Sequence, residues 1–545
     1  MPIKLKLPDI SESERSPLVD TLLGLIEHLV QENSRQAETI QQLRDEIALL
    51  KGEKGKPTFK PSGMNEKAGT ASDSDDDDDA GSDSSDTEKK RPGSQKRCKK
   101  KTLPIHETQI VAPQAEIPEG SVFKGYDDFI VQEIRFEAHN ICYRREIWQT
   151  PEGSWLRGEL PEYQKGQSFG PTLRQFVLYQ HHHCQVTQPL LHEQLKEIGV
   201  DISTGQIDAL LTKRSEPFID EKNEILRVGL QYSPYLNVDD SGARHQGKNG
   251  YVTHIGNEAF ACFSTSFSKS RINFLELLHA GTPQYAYNDF ALDYYLTQGL
   301  PKEPLCQLQS QTTLLEAGEW EAHLDALGIQ DERHRRIATE GALLGGLIEG
   351  GFNPELVIVS DGAGQFAILL HALCWVHAER LVHKLIPLND QHREDIANVR
   401  DAIWTLYADL KRFRDHPTAA LATELEARFD TLFTQKTRFQ TLNQLLKRLH
   451  KRKKELLLVL KHPHIPLHNN LSEGDIREYV KKRKISGGTR SEVGRRCRDA
   501  FASLKKTCRK HGLSFWDYLG DRIKGSGEIP LLQDLVRERL LAMGY

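Results

Sequence analysis

The feature that most constrains this 545-residue chain is a stretch that lacks the means to fold. Residues 52–103 are dominated by Gly, Ser, Asp and Lys and hold almost no aromatic side chain. Such a segment buries too little apolar surface to offset the entropy lost on ordering, so it reads as a linker. It is also polarised: residues 73–88 carry most of an acidic run, with Asp75 to Asp79 consecutive, and residues 89–101 are basic. The basic half has two readings, a DNA-contacting or targeting tail and a solvated tether.

Residues 1–51, ahead of the linker, end in a heptad pattern. Leu22, Leu29, Gln36, Leu43 and Leu50 recur every seven residues, and Ile26, Asn33, Ile40 and Ile47 fill the second seam position. That period predicts a coiled-coil helix over 18–51, with Asn33 and Gln36 as the polar patch that sets register and oligomer state. A homo-oligomer is therefore expected; the alternative is an amphipathic helix packed on its own chain.

Composition narrows the class. Hydrophobic residues make up 38%, enough for a core, and the formal net charge of -5 hides an uneven distribution, since residues 477–510 are strongly basic. No apolar run approaches the roughly 18 residues of a membrane span, and no secretory signal opens the chain. Eight cysteines without a CxxC pair point to reduced thiols. The expectation is a cytoplasmic protein, associated with the bacterial nucleoid and without a membrane partner.

Residues 104–230 read as a small mixed domain, with β-like runs at Phe129–Phe136 and Ile141–Trp148 followed by a helix-turn-helix over Val186–Thr212. Leu190, Leu191, Leu195 and Ile198 form one face, Gly199-Val200-Asp201 breaks it, and Ser203 caps a second helix. In DNA-binding proteins that helix enters the major groove, which would make Gln206, Lys213 and Arg214 the contacts; an ordinary helical hairpin is the other reading.

From 231 to 389 the pattern is three strands, a helix, an irregular insertion at 280–350, a strand over Leu356–Val359, then helix, strand and helix. Residues 390–462 are helical in pattern, and 463–545 end in basic helices. The expected fold class is therefore α/β, with a ribonuclease-H-like mixed sheet and a large helical insertion. The N-terminal coiled coil and the helix-turn-helix domain complete it.

Asp239 falls at the end of the first of these strands, Asp361 at the end of a later one, and Glu473 on a helix. Phosphodiester cleavage needs an activated nucleophile and a stabilised leaving oxygen, which two divalent ions about 4 Å apart supply when hard oxygen ligands hold them. Three carboxylates so close would repel by about 4 kcal/mol per pair, so a cluster of this kind implies cations. Each acid also has a plain reading. Asp239-Asp240-Ser241-Gly242 and Ser360-Asp361-Gly362 are turn-like, and Glu473 suits a capping box begun at Asn470.

At this point the sequence resembles the insertion sequence 66 family of DDE transposases. The resemblance covers the zipper and residues from about 120 to 524. It rests on Val238-Asp239-Asp240-Ser241, on Asp361-Gly362, on Cys374, Trp375, His377 and Arg380 in a Cys-Trp-x-His-x-x-Arg pattern, and on Pro466, Asn469, Asn470 and Glu473 followed by Arg477, Arg483 and Lys484. The resemblance implies two Mg²⁺ or Mn²⁺ ions at Asp239, Asp361 and Glu473, terminal inverted repeats as substrate, and 3′-hydroxyl strand transfer into target DNA. It further implies two small accessory proteins encoded by the same element. Departures are Asp240 and Ser241 where the family has Glu and Thr, which leaves Asp240 as a rival first ligand. Only Cys98 and Cys142 stand where many relatives have a zinc segment, so no zinc is expected.

His377 and Arg380 are read as facing phosphate near the start of a helix, or as a hydrogen-bonded pair on a core helix. His181-His182-His183-Cys184 is read as surface, because adjacent residues diverge around a helix. The run Arg477, Lys481, Lys482, Arg483, Lys484, Arg490, Arg495 and Arg496, with basic residues onward to Lys510, has few acids near it in sequence and is read as a phosphate-binding stripe. Lys447–Lys454 adds a second patch. The function expected is DNA transposition. The alternatives are a transposase-derived DNA-binding protein without mobilising activity and a structure-specific nuclease of the same fold.

Overall fold

The structure is a computed structural model that describes residues 104–543, apart from 116–117, 119–120, 122, 162–163 and 310–314, together with scattered positions between 16 and 36. The linker over 52–103 and most of the heptad stretch lie outside the described residues. Those described at 18–19, 21–26, 28–29, 32 and 36 are helical. The chain divides into two units, Thr39–Arg135 and the remainder. In the smaller unit the described residues form no helix or strand and are exposed. The β-like run at 129–136 forms no strand, and no second described segment pairs with it.

In the larger unit a short hairpin, β1 (Ile147–Gln149) and β2 (Trp155–Arg157), precedes four helices: α1 (Pro171–His182), α2 (Gln188–Glu197), α3 (Thr204–Thr212) and α4 (Glu216–Tyr232). Ser203 caps α3 as its sequence requires, in a capping box closed by Gln206. Leu191 and Leu195 of α2 and Ile207, Leu210 and Leu211 of α3 face the core.

The central sheet starts with a meander, β3 (Tyr235–His245), β4 (Lys248–Gly256) and β5 (Ala261–Ser266). The β3–β4 link is the two-residue Gln246-Gly247 turn, both at positive φ, which matches the right-handed twist of the flanking strands. Helix α5 (Arg271–Leu278) follows. The insertion after it is an ordered layer holding a two-stranded ribbon, β6 (Gln284–Tyr285) with β7 (Leu315–Glu316), and helices α6 (Asp289–Thr297), α7 (Lys302–Leu308), α8 (Ala317–Ala326) and α9 (Glu332–Glu349). Strands β8 (Val357–Ser360) and β9 (Leu370–Leu373) then complete a five-stranded mixed sheet of order β5-β4-β3-β8-β9, in which β3, β8 and β9 run parallel.

Helix α10 (Trp375–His383) leads to a helical layer, α11 (Asp390–Asp415), α12 (Ala419–Thr434), α13 (Gln440–Lys451) and α14 (Lys453–Leu456). In α13, Leu442, Leu445, Leu446 and Leu449 share one face by helical spacing and are buried. They join one core with Trp375, Phe429 and the sheet residues Val357 and Val359. Helices α15 (Asn470–Ser486), α16 (Glu492–Lys510), α17 (Phe515–Lys524) and α18 (Leu532–Ala542) return to the sheet, and α16 packs along β5, where Ser503 Oγ accepts from Phe263 N at 2.8 Å. Among the described residues no helix is long and apolar enough to cross a membrane.

Candidate active site

The parallel register of β3 and β8 places two carboxylates side by side. Tyr235, Leu236 and Asn237 lie opposite Val357, Ile358 and Val359, so two residues further on Asp239 stands level with Asp361 where β8 ends. Neighbouring strands are about 4.8 Å apart. Asp239 is half-buried and its Oδ1 accepts from Asp240 N at 2.8 Å; Asp361 is exposed and its Oδ1 accepts from Ala363 N at 3.0 Å. Gly362 makes that turn possible, with φ of +96° and no room for a Cβ, which would sit 2.7 Å from Leu373 and 2.8 Å from Arg452. Asp240 points to the opposite face, as strand alternation dictates. It is ion-paired to Lys269 and accepts from Gln365 Nε2 at 2.7 Å, so its carboxylate is already engaged.

Glu473 reaches the same region from the first turn of α15. The Asn pair ahead of it explains how. Asn469 is fully buried, its Nδ2 donates to Val238 O at 2.9 Å, and its Oδ1 accepts from Asn237 Nδ2 at 2.9 Å. Its amide donates to Cys374 Sγ at 3.3 Å, and Trp375 Nε1 donates to Leu456 O at 2.9 Å. Three sequence motifs thus lock together at one point: the first half of β3, the start of α10 and the start of α15. Strand β3 does not end at Asp239 as its sequence suggested but pairs with β4 on to His245. Cys374 and Trp375 are buried parts of that joint. Asn469 caps α15 without a side-chain bond, so Glu473 is not the partner of a capping box. Its carboxylate instead takes Arg380 Nη1 at 3.1 Å and Nη2 at 3.5 Å, with His377 Nε2 at 3.6 Å. Of the two readings of His377 and Arg380, the pair is held against an acid.

These charges act on one another. Burial first, then the negative charges of Asp361, Asp240 and Glu473, push the Asp239 carboxyl up to about 7, against the pull of the Asp240 amide. Burial lowers His377, helped by Arg380 and Lys384 and opposed by Glu473 and Asp361. The donors are hard carboxylate oxygens, the type that divalent Mg²⁺ or Mn²⁺ prefers. With Glu473 turned onto Arg380, no three His, Cys, Asp or Glu side chains among the described residues are grouped so as to hold one metal ion.

The basic C-terminal segment divides in two. Arg477, Lys481 and Lys484 are exposed, make no hydrogen bond or ion pair among the described residues, and continue the face of α15 that begins with Glu473. Arg490 is exposed beyond them. The others are occupied. Lys482 is buried, Arg483 donates to Gly242 O, Arg495 pairs with Glu492, and Arg496 pairs with Glu216 at 3.0 Å. The expectation that balancing acids are missing is corrected here, because Glu216, Asp475 and Glu478 approach from neighbouring turns and helices. In the second patch Lys453 meets Asp430 at 2.8 Å and Arg452 pairs with Glu455.

In the helical pair, Gln206 is exposed but spends its Oε1 on Ser203 N at 2.8 Å. Lys213 is exposed, and Arg214, also exposed, donates to Lys165 O at 2.9 Å. Of the run read as surface, Cys184 is exposed and His181, His182 and His183 are half-buried. His182 stacks on Phe501 with centroids 4.3 Å apart, and His181 Nδ1 lies 2.9 Å from Val186 O. Sequence reasoning missed His254, which is fully buried on β4 and holds α15 through Ser472 Oγ at 2.6 Å and Asp475 Oδ2 at 3.1 Å. A polar residue in an apolar strand facing an acid two positions past Glu473 was the available signal.

Comparison with known proteins identifies the family. Residues 327–496, which include Asp361, Arg380 and Glu473, match the sequence model described as "Transposase IS66 family". The chain is 43% identical over 314 residues to "Uncharacterized protein y4jO" of Sinorhizobium fredii (strain NBRC 101917 / NGR234), a match that spans 56% of this chain and 96% of that protein. The chain belongs to the IS66 transposase family.

Proposed function

We propose that the protein is a transposase that cleaves DNA at the terminal inverted repeats of its element and joins the 3′-hydroxyl to target DNA, on a ribonuclease-H-like core whose acids are Asp239, Asp361 and Glu473. The observation that carries this reading is the level placement of Asp239 and Asp361 on adjacent parallel strands, with Glu473 near enough to raise the Asp239 carboxyl. The sheet order β5-β4-β3-β8-β9, with an antiparallel meander beside a parallel pair, supports the fold assignment.

Asp239 and Asp361 would hold Mg²⁺ or Mn²⁺ between them, and Glu473 would complete a second position once it leaves Arg380. When bound, such ions activate the attacking oxygen and stabilise the leaving one. The protein's own residues do the rest. The Asn469 joint fixes β3 against α15, so the acids keep their spacing. Arg380 covers Glu473 in the free protein and, on release, presents a planar fork suited to a phosphate. Arg477, Lys481 and Lys484 line an electropositive path leading from the acids, which suits a DNA backbone. Mg²⁺-dependent cutting and joining of DNA bearing the element's flanks, with and without the accessory proteins implied by the family, tests the reading.

A second reading has its own observation. With Glu473 taken by Arg380 and no three-ligand group formed among the described residues, the chain also suits a DNA-binding descendant that no longer cuts. It would bind the flanks in Mg²⁺ and leave them intact under every accessory condition.

A further inference from the structure

The buried part of the basic segment has a use that catalysis at the acids does not absorb. The end of α1, strand β5 and helices α15 and α16 line a small, partly open recess. Four cationic side chains, Lys482, Arg498, Lys505 and Lys506, line it against two carboxylates, Asp475 and Glu478. Those two are heavily subscribed. Asp475 meets Lys506 at 3.2 Å, Lys510 at 3.1 Å and His254 at 3.1 Å; Glu478 meets Lys505, Lys506 at 3.1 Å and Arg509 at 3.6 Å.

Nothing negative among the described residues remains for the other two cations. Lys482 is 9% exposed, and among the described residues its only acceptor is His181 O at 2.6 Å. Arg498, also 9% exposed, donates to Ser486 Oγ at 3.1 Å and Gly487 O at 3.0 Å, both neutral. His182 Nε2 lies in the same wall, buried and without a hydrogen-bond partner among the described residues. A buried ammonium with no counter-ion costs several kcal/mol unless an anion joins it or it gives up its proton. Burial and the neighbouring Arg498 and Lys505 charges bring Lys482 down to about 7, so the excess positive charge is felt within the recess.

We propose that this recess is a binding site for a phosphate-class oxyanion, held by Lys482 and Arg498 with His182 Nε2 as a neutral donor. A tetrahedral anion suits it because the cationic and ring donors come from three separate elements, α1, α15 and α16. Filling it would tie the end of α1 to the helix that carries Glu473. The phosphate can come from solution or from bound DNA, and the proposal stands whether or not the acids catalyse strand transfer.

The test titrates inorganic phosphate into the full chain at constant ionic strength and reads thermal unfolding and hydrogen exchange. Wild type should show a saturable rise in Tm and slowed exchange confined to the recess. Lys482→Met, which keeps the side-chain volume, should weaken phosphate binding about tenfold or more. Lys524→Met removes an exposed charge from α17, away from the recess, and should bind like wild type. Should Lys482→Met fail to fold, the location of the exchange protection in wild type decides alone. Competition by a DNA duplex would assign the site to a backbone phosphate, and independence from duplex would assign it to the free anion. No saturable response, protection elsewhere, or equal binding by Lys482→Met would overturn the proposal.

Discussion

Replacing Asp239 by Asn should stabilise the metal-free protein above neutral pH. The Asp239 carboxyl is displaced from the ordinary 3.8 to about 7 by burial and by the charges of Asp361, Asp240 and Glu473. A displacement of about three pH units at 1.36 kcal/mol each gives a ceiling of about 4 kcal/mol. The site is partly open and the carboxylates can move apart, so about 2 kcal/mol is the expected gain. The sign follows from proton binding. Between about pH 4 and 7 the folded state keeps a proton that the unfolded state has lost, so wild-type stability falls as pH rises through that window and levels off above it. The amide side chain removes this slope while keeping an oxygen for the Asp240 amide. The advantage of Asp239→Asn should be absent near pH 4 and full at pH 8, a shift of a few degrees in Tm for a protein of this size. Saturating Mg²⁺ should shrink it by stabilising wild type. Thermal melts at pH 4, 6 and 8 in EDTA would settle it, and a variant no more stable than wild type at pH 8 would refute the repulsive cluster.

Other consequences follow from the same geometry. Arg380→Gln frees Glu473 from a partly exposed pair worth about 1 kcal/mol, so Mn²⁺ affinity should rise about fivefold by calorimetry even as joining falls. Unchanged or weaker Mn²⁺ binding would show that Arg380 does not compete with metal. Asn469→Ala strands the Val238 carbonyl and the Asn237 amide in a dry joint and should cost about 2–4 kcal/mol in urea unfolding; a loss below about 1 kcal/mol would contradict the stitching role. Changing Arg477, Lys481 and Lys484 together to Gln should lower the salt slope of duplex binding by about 2 to 3, and an unchanged slope would remove that face of α15 from the DNA path.

The sheet was legible from short apolar runs with turn residues beside them, Leu356–Val359 and the Gly256-Asn257 corner among them, although β3 continues six residues past Asp239 to His245, where the polar sequence hid it. The helical layer over 390–460 was legible from the spacing of residues such as Leu442, Leu445, Leu446 and Leu449. Partnership was not legible, since it depends on what the fold brings near. The run at 129–136 is β-like in composition but has no described segment to pair with. His181–His183 read as exposed in sequence, yet Lys482 and Lys505 from α15 and α16 donate to the carbonyls of His181 and His182. The basic stripe looked unbalanced because a few acids serve several cations each, some of them across helices: Glu478 meets Lys505, Lys506 and Arg509, and Glu216 meets Arg496. Charge density along a sequence does not separate a cation that holds helices together from one free to meet DNA. Burial does, and it sets Lys482 apart from its neighbour Lys481.

The account turns on whether Asp361, with its neighbour Asp239, carries metal-dependent strand chemistry. The most direct measurement is a cleavage and joining assay on DNA carrying the gene's own flanks, with the implied accessory proteins present, comparing wild type and Asp361→Asn in Mg²⁺ and in Ca²⁺. The account predicts cuts at the flank termini and joined products for wild type in Mg²⁺, and neither for the variant, which still binds the same DNA. Products that persist in Asp361→Asn, or flank binding by wild type with no cut under any of these conditions, would contradict it.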